Sequence, residues 1–161
     1  MMADGTLHDT DFVAWTEQQA RLLRQAIAGR LDEPFDLENL AEEIESLGRS
    51  DLRAARSQIR RIIEHLLKLQ FSPVEQPRDR WLGSISHARS DLDLVRKDSP
   101  SLRSKIDVGL SDDKAFATRV AIRSLRAHAQ AAAAVDAKAN GGAYTIEEIL
   151  GDWFPKTEPL T

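Results

Sequence analysis

Apolar residues return at helical spacing along almost the whole chain, and the gaps in that rhythm predict the elements. From Asp9 to Arg30 the series Phe12, Trp15, Leu22, Leu23, Ala26 and Ile27 makes one broad face, with Gly29 as a stop. Pro34 interrupts, and Asp36 stands as N-cap to a second helix carrying Leu37, Leu40, Ile44 and Leu47, with Glu38, Glu42 and Glu43 at its positive start. The pattern resumes at Leu52 and runs through Ala55, Ile59, Ile62, Ile63, Leu66 and Leu67 to Phe71, where Ser72 and Pro73 end it. Gly48-Arg49-Ser50 invites a break, since a mid-helix glycine costs about 1 kcal/mol relative to Ala. The apolar face keeps its direction across the gap, however, so one continuous helix over about residues 36–71 is expected.

Trp81, Ile85, Ala88, Leu92 and Val95 mark a third helix ending at Asp98. Ser99-Pro100 reads as N-cap and first turn of a fourth, which holds Leu102 and Ile106 and stops at Gly109. Ser111 to Ala139 is helical by propensity, with Phe116, Val120 and Leu125 ahead of an alanine-rich tract that Asn140-Gly141-Gly142 terminates. That tract reads either as a close-packing face or as a fraying end. Thr145 with Glu148 forms a capping box for a last short helix, closed by Gly151, with Trp153 and Phe154 docking after it. No apolar-polar alternation persists, so sheet has no claim. The expectation is an all-α fold: a single-domain bundle of five or six helices over residues 1–161, with 1–8 and 156–161 as flexible ends.

The order of several phrases carries a resemblance. Asp11-Phe12, Ala14-Trp15-Thr16, Asn39 to Glu45, Leu47 to Ser50 and His65 to Lys68 come first, followed by Ser99 to Arg103 and Tyr144 to Leu150. Together they resemble the bacterial family known as domain of unknown function 29 (DUF29), over nearly the whole chain. Val13 and Leu69 depart from the family pattern, where aromatics are commoner. The resemblance implies an all-helical bacterial protein and assigns no catalytic or ligand residue.

Composition narrows the functions further. The 161 residues hold 42% hydrophobic and 30% charged side chains, an ordinary globular balance, and 22 bases against 26 acids give a net charge of -4. A strongly basic whole-domain nucleic-acid binder is excluded. The absence of cysteine excludes disulfides, thiolate metal sites and a cysteine nucleophile. With no export signal and no apolar run of membrane length, a cytoplasmic location away from the membrane is expected. The charge is uneven: residues 1–46 hold 11 acids and 3 bases, whereas 47–80 hold 4 and 8.

That unevenness concentrates on the long helix. Glu38, Glu42, Glu45, Arg49, Arg53, Arg56 and Arg60 project within roughly an 80° sector, acids first and bases afterwards. One reading is a solvated charged face. The sharper reading is partner recognition, because such a stripe complements its own antiparallel copy, with a two-fold axis near Arg49, and predicts a homodimer or a contact with another protein. The alternative is a nucleic-acid-associated accessory factor in which Arg49, Arg53, Arg56 and Arg60, with Arg119, Arg123 and Arg126, meet phosphates, although no aromatic residue is interleaved with them.

Enzyme chemistry has no motif here: neither a nucleophile elbow, a phosphate loop nor a dinucleotide fingerprint occurs. An enzyme or small-ligand binder remains open only through residues that converge in the fold. His8, His65, His87 and His128 lack a glutamate three positions upstream, so a ferritin-type metal site has no basis, and no metal or cofactor is expected. His65 is expected to pack at the border of the apolar face. Asp91 with Asp93 and Asp112 with Asp113 read as loop or terminus caps, and Trp15, Trp81 and Trp153 as aromatic core residues that meet or nearly meet.

Overall fold

The computed structural model describes residues 5–28 and 36–158. The fold is all-α, and no strand occurs among the described residues. Among the described residues seven helices follow in order: α1 (Gly5–Thr10), α2 (Phe12–Ala28), α3 (Leu37–Phe71), α4 (Arg78–Asp98), α5 (Leu102–Ser124), α6 (Ala129–Asn140) and α7 (Ile146–Leu150). The expected stop at Gly29, the break at Pro34 and the outermost residues of both flexible ends lie outside the described residues. No helix among the described residues is long and apolar enough to cross a membrane. The chain separates into two compact units, one comprising residues up to Ala55 with Leu94–Asp107, the other Arg56–Asp93 with Val108 onward.

In the first unit the starts of α2 and α5 are tied to one another. Asp11 divides what the pattern predicts as one helix: its Oδ1 accepts the Ala14 amide at 3.0 Å and so caps α2. The same carboxylate accepts the Ser101 amide at 2.6 Å and the Ser101 hydroxyl at 2.8 Å, capping α5 as well. Ser99, expected to cap that helix, instead receives the Val13 amide on its hydroxyl at 3.2 Å. Two helix starts thus satisfy one another's orphan amides. Val13, Ala20, Ala41, Ala55, Leu102 and Ile106 are buried around them.

The long helix α3 runs 35 residues without interruption, as the direction of its apolar face predicts. Gly48 faces inward, where a Cβ would stand 2.3 Å from Thr16 Oγ1, and that hydroxyl already donates to the Val13 carbonyl at 2.8 Å. The glycine therefore forfeits helix propensity for a close approach of α2. At the other end of the helix start, Asp36 caps as expected, its Oδ1 accepting the Asn39 amide at 3.2 Å.

The second unit holds the larger apolar core, with Ile59, Ile62, Ile63, Leu66 and Leu67 of α3 buried together with Ile85, Leu92, Tyr144 and Ile149. The Tyr144 hydroxyl donates to Gln70 Oε1 at 2.6 Å, and the Glu158 amide donates to the Gln70 carbonyl at 2.8 Å. Arg89, 6% exposed, has no carboxylate in hydrogen-bond reach among the described residues; it donates to the carbonyls of Ile149 at 2.9 Å, Glu148 at 2.8 Å and Trp153 at 2.9 Å. Its guanidinium closes the C-terminal end of α7. The capping box of Thr145 and Glu148 is present as the sequence predicts.

Two boundaries differ from expectation. α5 continues through Gly109, where a stop is predicted, and the break falls instead at Leu125–His128, inside the stretch predicted to be one helix. The turn closes through His128 N–H to the Leu125 carbonyl at 2.8 Å and contains neither glycine nor proline, so propensity gives no warning of it. Ala131 and Val135 of the alanine-rich tract are fully buried, which makes it a packing face.

Gly48→Ala is expected to destabilise by about 1–3 kcal/mol through overpacking, although an open helical site would gain about 1 kcal/mol from the same change. Gly83 of α4, with no neighbour within 4 Å of its would-be Cβ, is the internal control. Urea unfolding of both variants checks this: opposite signs are expected, and a stabilised Gly48→Ala protein contradicts the close approach.

Candidate functional site

The seven charged residues of the α3 stripe divide between the two units. In the first, Arg24 of α2 reaches Glu38 at 3.6 Å and Glu45 at 2.6 Å, and Arg49 meets Glu45 at 3.4 Å one turn along the helix. The bond to Glu45 raises the Arg24 pKa, and the bond to Arg24 lowers that of Glu45. Glu42 and Arg53 are exposed and make no ion pair among the described residues. An open concavity of about 460 Å³ lies beside Arg24, lined also by Glu17, Arg21, Gln25 and Glu45.

In the second unit the last two arginines of the stripe converge on one carboxylate. Arg56 Nε lies 2.9 Å from Asp113 Oδ2 and Arg60 Nε 2.5 Å from Oδ1, and the Asp113 side chain is wholly buried. Arg56 Nη2 also donates to the Gly109 carbonyl at 3.3 Å. A Cβ on Gly109 would stand 2.7 Å from the Arg56 guanidinium carbon, so this glycine is a seat for the arginine and not a helix stop. Hydrogen bonding to Asp113 raises the Arg56 pKa further. The reading of Asp112-Asp113 as a cap is therefore corrected: Asp113 is an interior helix residue whose buried charge is held by two arginines. Asp91, similarly, accepts from Gln58 Nε2 at 3.2 Å.

Arg60 also lies over the Phe116 ring, 4.6 Å from its centroid, in cation–π geometry. The sequence shows no aromatic among the arginines, but the fold supplies one. Arg119, Arg123 and Arg126 are exposed and have no acidic partner among the described residues.

The tryptophans do not build the aromatic core expected of them. Trp15 stacks on Phe12 at 5.8 Å with His8 against its edge, Trp81 lies under the Lys68 ammonium, and Trp153 is 41% exposed beside Tyr144. His65 is half-buried with Nδ1 unpartnered, and burial depresses its pKa, Lys68 and Arg61 adding to the effect and Glu64 opposing it. His87 is exposed, and His128 precedes α6 without a side-chain cap bond. No group of three or more His, Asp or Glu among the described residues is arranged to hold a metal.

Sequence reasoning missed Arg24 and Asp113, the two residues that neutralise the stripe from other helices. Arg24 carries no distinguishing signal; the Asp112-Asp113 doublet was the available signal for the other.

Comparison with family models matches residues 7–154 to the domain of unknown function DUF29. The chain belongs to the DUF29 family. Val13 and Leu69, where aromatics are expected from the resemblance, are each 2% exposed, so aliphatic side chains fill these buried positions in this chain. A crystal structure of an alpha-helical protein of unknown function from Rhodospirillum rubrum ATCC 11170 is similar, at 26% identity and a TM-score of 0.62, over 90% of this chain and 89% of that one. No curated protein matches.

Asp113→Ala is expected to cost about 2–4 kcal/mol, less than a fully enclosed pair would lose because both arginines can turn to solvent. Asp112→Ala, at an exposed neighbour, should stay within about 0.5 kcal/mol of the parent. Chemical denaturation of the two variants decides it. His65 binds its proton more readily in the unfolded chain, so its contribution to stability is present above the ordinary value of 6.5 and lost as pH falls below it. His65→Gln should flatten the fall in unfolding free energy between about pH 7.5 and 5.5; an unchanged slope contradicts the assignment.

Proposed function

We propose that this DUF29 chain is a self-association module in which two copies pair antiparallel along the first-unit half of α3. The observation that carries the reading is the inequality of the seven stripe residues. Glu38 and Glu45 share Arg24, and Arg56 and Arg60 share Asp113, within one chain. Glu42 and Arg53 keep exposed, unmatched charges eleven positions apart, about three turns of one helix.

An isologous contact requires a patch that complements itself. With the two-fold axis between Leu47 and Gly48, Glu42 of each copy faces Arg53 of the other, two ion pairs per dimer. Ser46 and Ser50 lie on the outward side between them and are small enough to admit a second helix. The axis thus sits slightly toward the N-terminus of the Arg49 position that the whole stripe implies, because the outer rungs are already occupied.

Contact chemistry of this kind supplies orientation more than affinity, so a modest, salt-sensitive dimer is expected. Light scattering tests it with a charge swap: Glu42→Arg alone and Arg53→Glu alone should each shift the mass toward monomer, and the double variant should restore the dimer. A parent protein that is monomeric at every concentration, or a double variant no better than either single one, overturns the reading.

A further inference from the structure

We infer that the outward face of α5 in the second unit binds single-stranded nucleic acid, with Phe116 as a stacking platform and Arg119, Arg123 and Arg126 as phosphate contacts. The surface is independent of the self-association surface, since none of its residues belongs to the first unit.

The face is built from three observations. Phe116 is 43% exposed, and Arg60 lies over its ring while the Arg60 Nε is bonded to buried Asp113. The platform is therefore held by a group that shares with Arg56 the neutralisation of a buried carboxylate, which ties its position to the interior of the unit. Arg119 and Arg123 follow Phe116 at spacings of three and four, on the same side of the helix, and Arg126 stands in the turn beyond the end of α5. From Phe116 to Arg123 the helix rises about 10 Å, so cations lie along a line leading away from the ring.

Charge selects a polyanion. The second unit holds 13 bases and 12 acids although the chain as a whole is acidic. Along the α5 face the acids are Asp113, already neutralised, and exposed Asp112, one turn before Phe116 and away from the arginines. The exposed ring decides between polyanions: an acidic peptide offers little to stack, and a duplex keeps its bases in the stack, whereas a single strand presents both phosphates and free base faces.

The test is fluorescence anisotropy of the full chain with a labelled oligo(dT) of about 15 nucleotides, with the matching duplex and a poly-glutamate peptide as competitors. Binding at low salt is expected to weaken with a log–log slope near about -2, for three phosphate contacts on a single strand. Arg119→Glu with Arg123→Glu should abolish it. Phe116→Leu, which keeps apolar packing under Arg60, should weaken binding about tenfold and leave the salt slope unchanged. Thermal melts of each variant confirm that it is folded, and Phe116→Trp, expected to retain binding, covers the case in which the leucine variant melts early. No binding by the parent chain overturns the inference, as do equal competition by poly-glutamate, tighter binding to the duplex, or full affinity in folded Phe116→Leu.

Discussion

A helix of 35 residues that is buried at Ala41, Gly48 and Ala55 and then continuously on its apolar side from Ile59 onward sets charged side chains at the border of that side, where they meet the helices packed alongside. Most of the arrangement follows from neutralising that border. In the first unit Arg24 stands between two glutamates, and in the second Asp113 is sunk completely and must be held by cations, which Arg56 and Arg60 supply. The cost of a buried carboxylate left bare is several kcal/mol, so these contacts constrain where α5 can lie against the second half of α3. Gly109 belongs to the same requirement: its missing Cβ is the room in which the Arg56 guanidinium reaches the acid and the carbonyl together.

The parts of the fold that were legible in the sequence are those determined within one turn of chain. Asp36 capping α3 and the Thr145–Glu148 capping box depend on a side chain and amides three positions away, and the stop after Phe71 on a proline two positions on. Continuity through Gly48 was also legible, because azimuth is a local quantity even over ten turns. What was not legible depends on contacts from far along the chain. Ser99 looks like a cap by its neighbours and is one for α2, 86 residues upstream. Gly109 looks like a stop and is a seat. The turn at Leu125–His128 has no breaker residue, and what fixes it is the burial of Leu125, Ala131 and Val135, a packing fact that no propensity scale contains.

The candidate site divides in the same way. The stripe on α3 could be projected from seven positions on one helix, but its partners could not, because Arg24 and Asp113 arrive from other elements. Phe116 shows the limit from the other side: in the sequence its nearest arginines are Arg119, three positions on, and Arg123, seven positions on, and only the packing of α5 brings it under Arg60. The tryptophans reverse the expectation instead. Large aromatic area favours burial on average, yet among the described residues the buried rings are Phe71 and Tyr144, whose hydroxyl finds Gln70, while Trp153 remains at the surface.

A count of charges along a sequence overstates the surface by every ion that the fold consumes. Of the stripe, four residues are taken by in-chain partners and a fifth, Arg49, is shared with Glu45. The stripe leaves Glu42 and Arg53 exposed and unpaired among the described residues of the acidic first unit, and in the second Arg119, Arg123 and Arg126 are exposed without an acidic partner. The remainder is also chemically sorted. In the first unit the stripe's leftover charges have both signs on one helix face, the pattern that the proposed self-association uses; in the second three exposed arginines follow an exposed ring, with Asp112 one turn before it. The same neutralisation that holds the helices together thus decides which charges stay available, and partner recognition by this chain is better reasoned from the unspent ions than from the total.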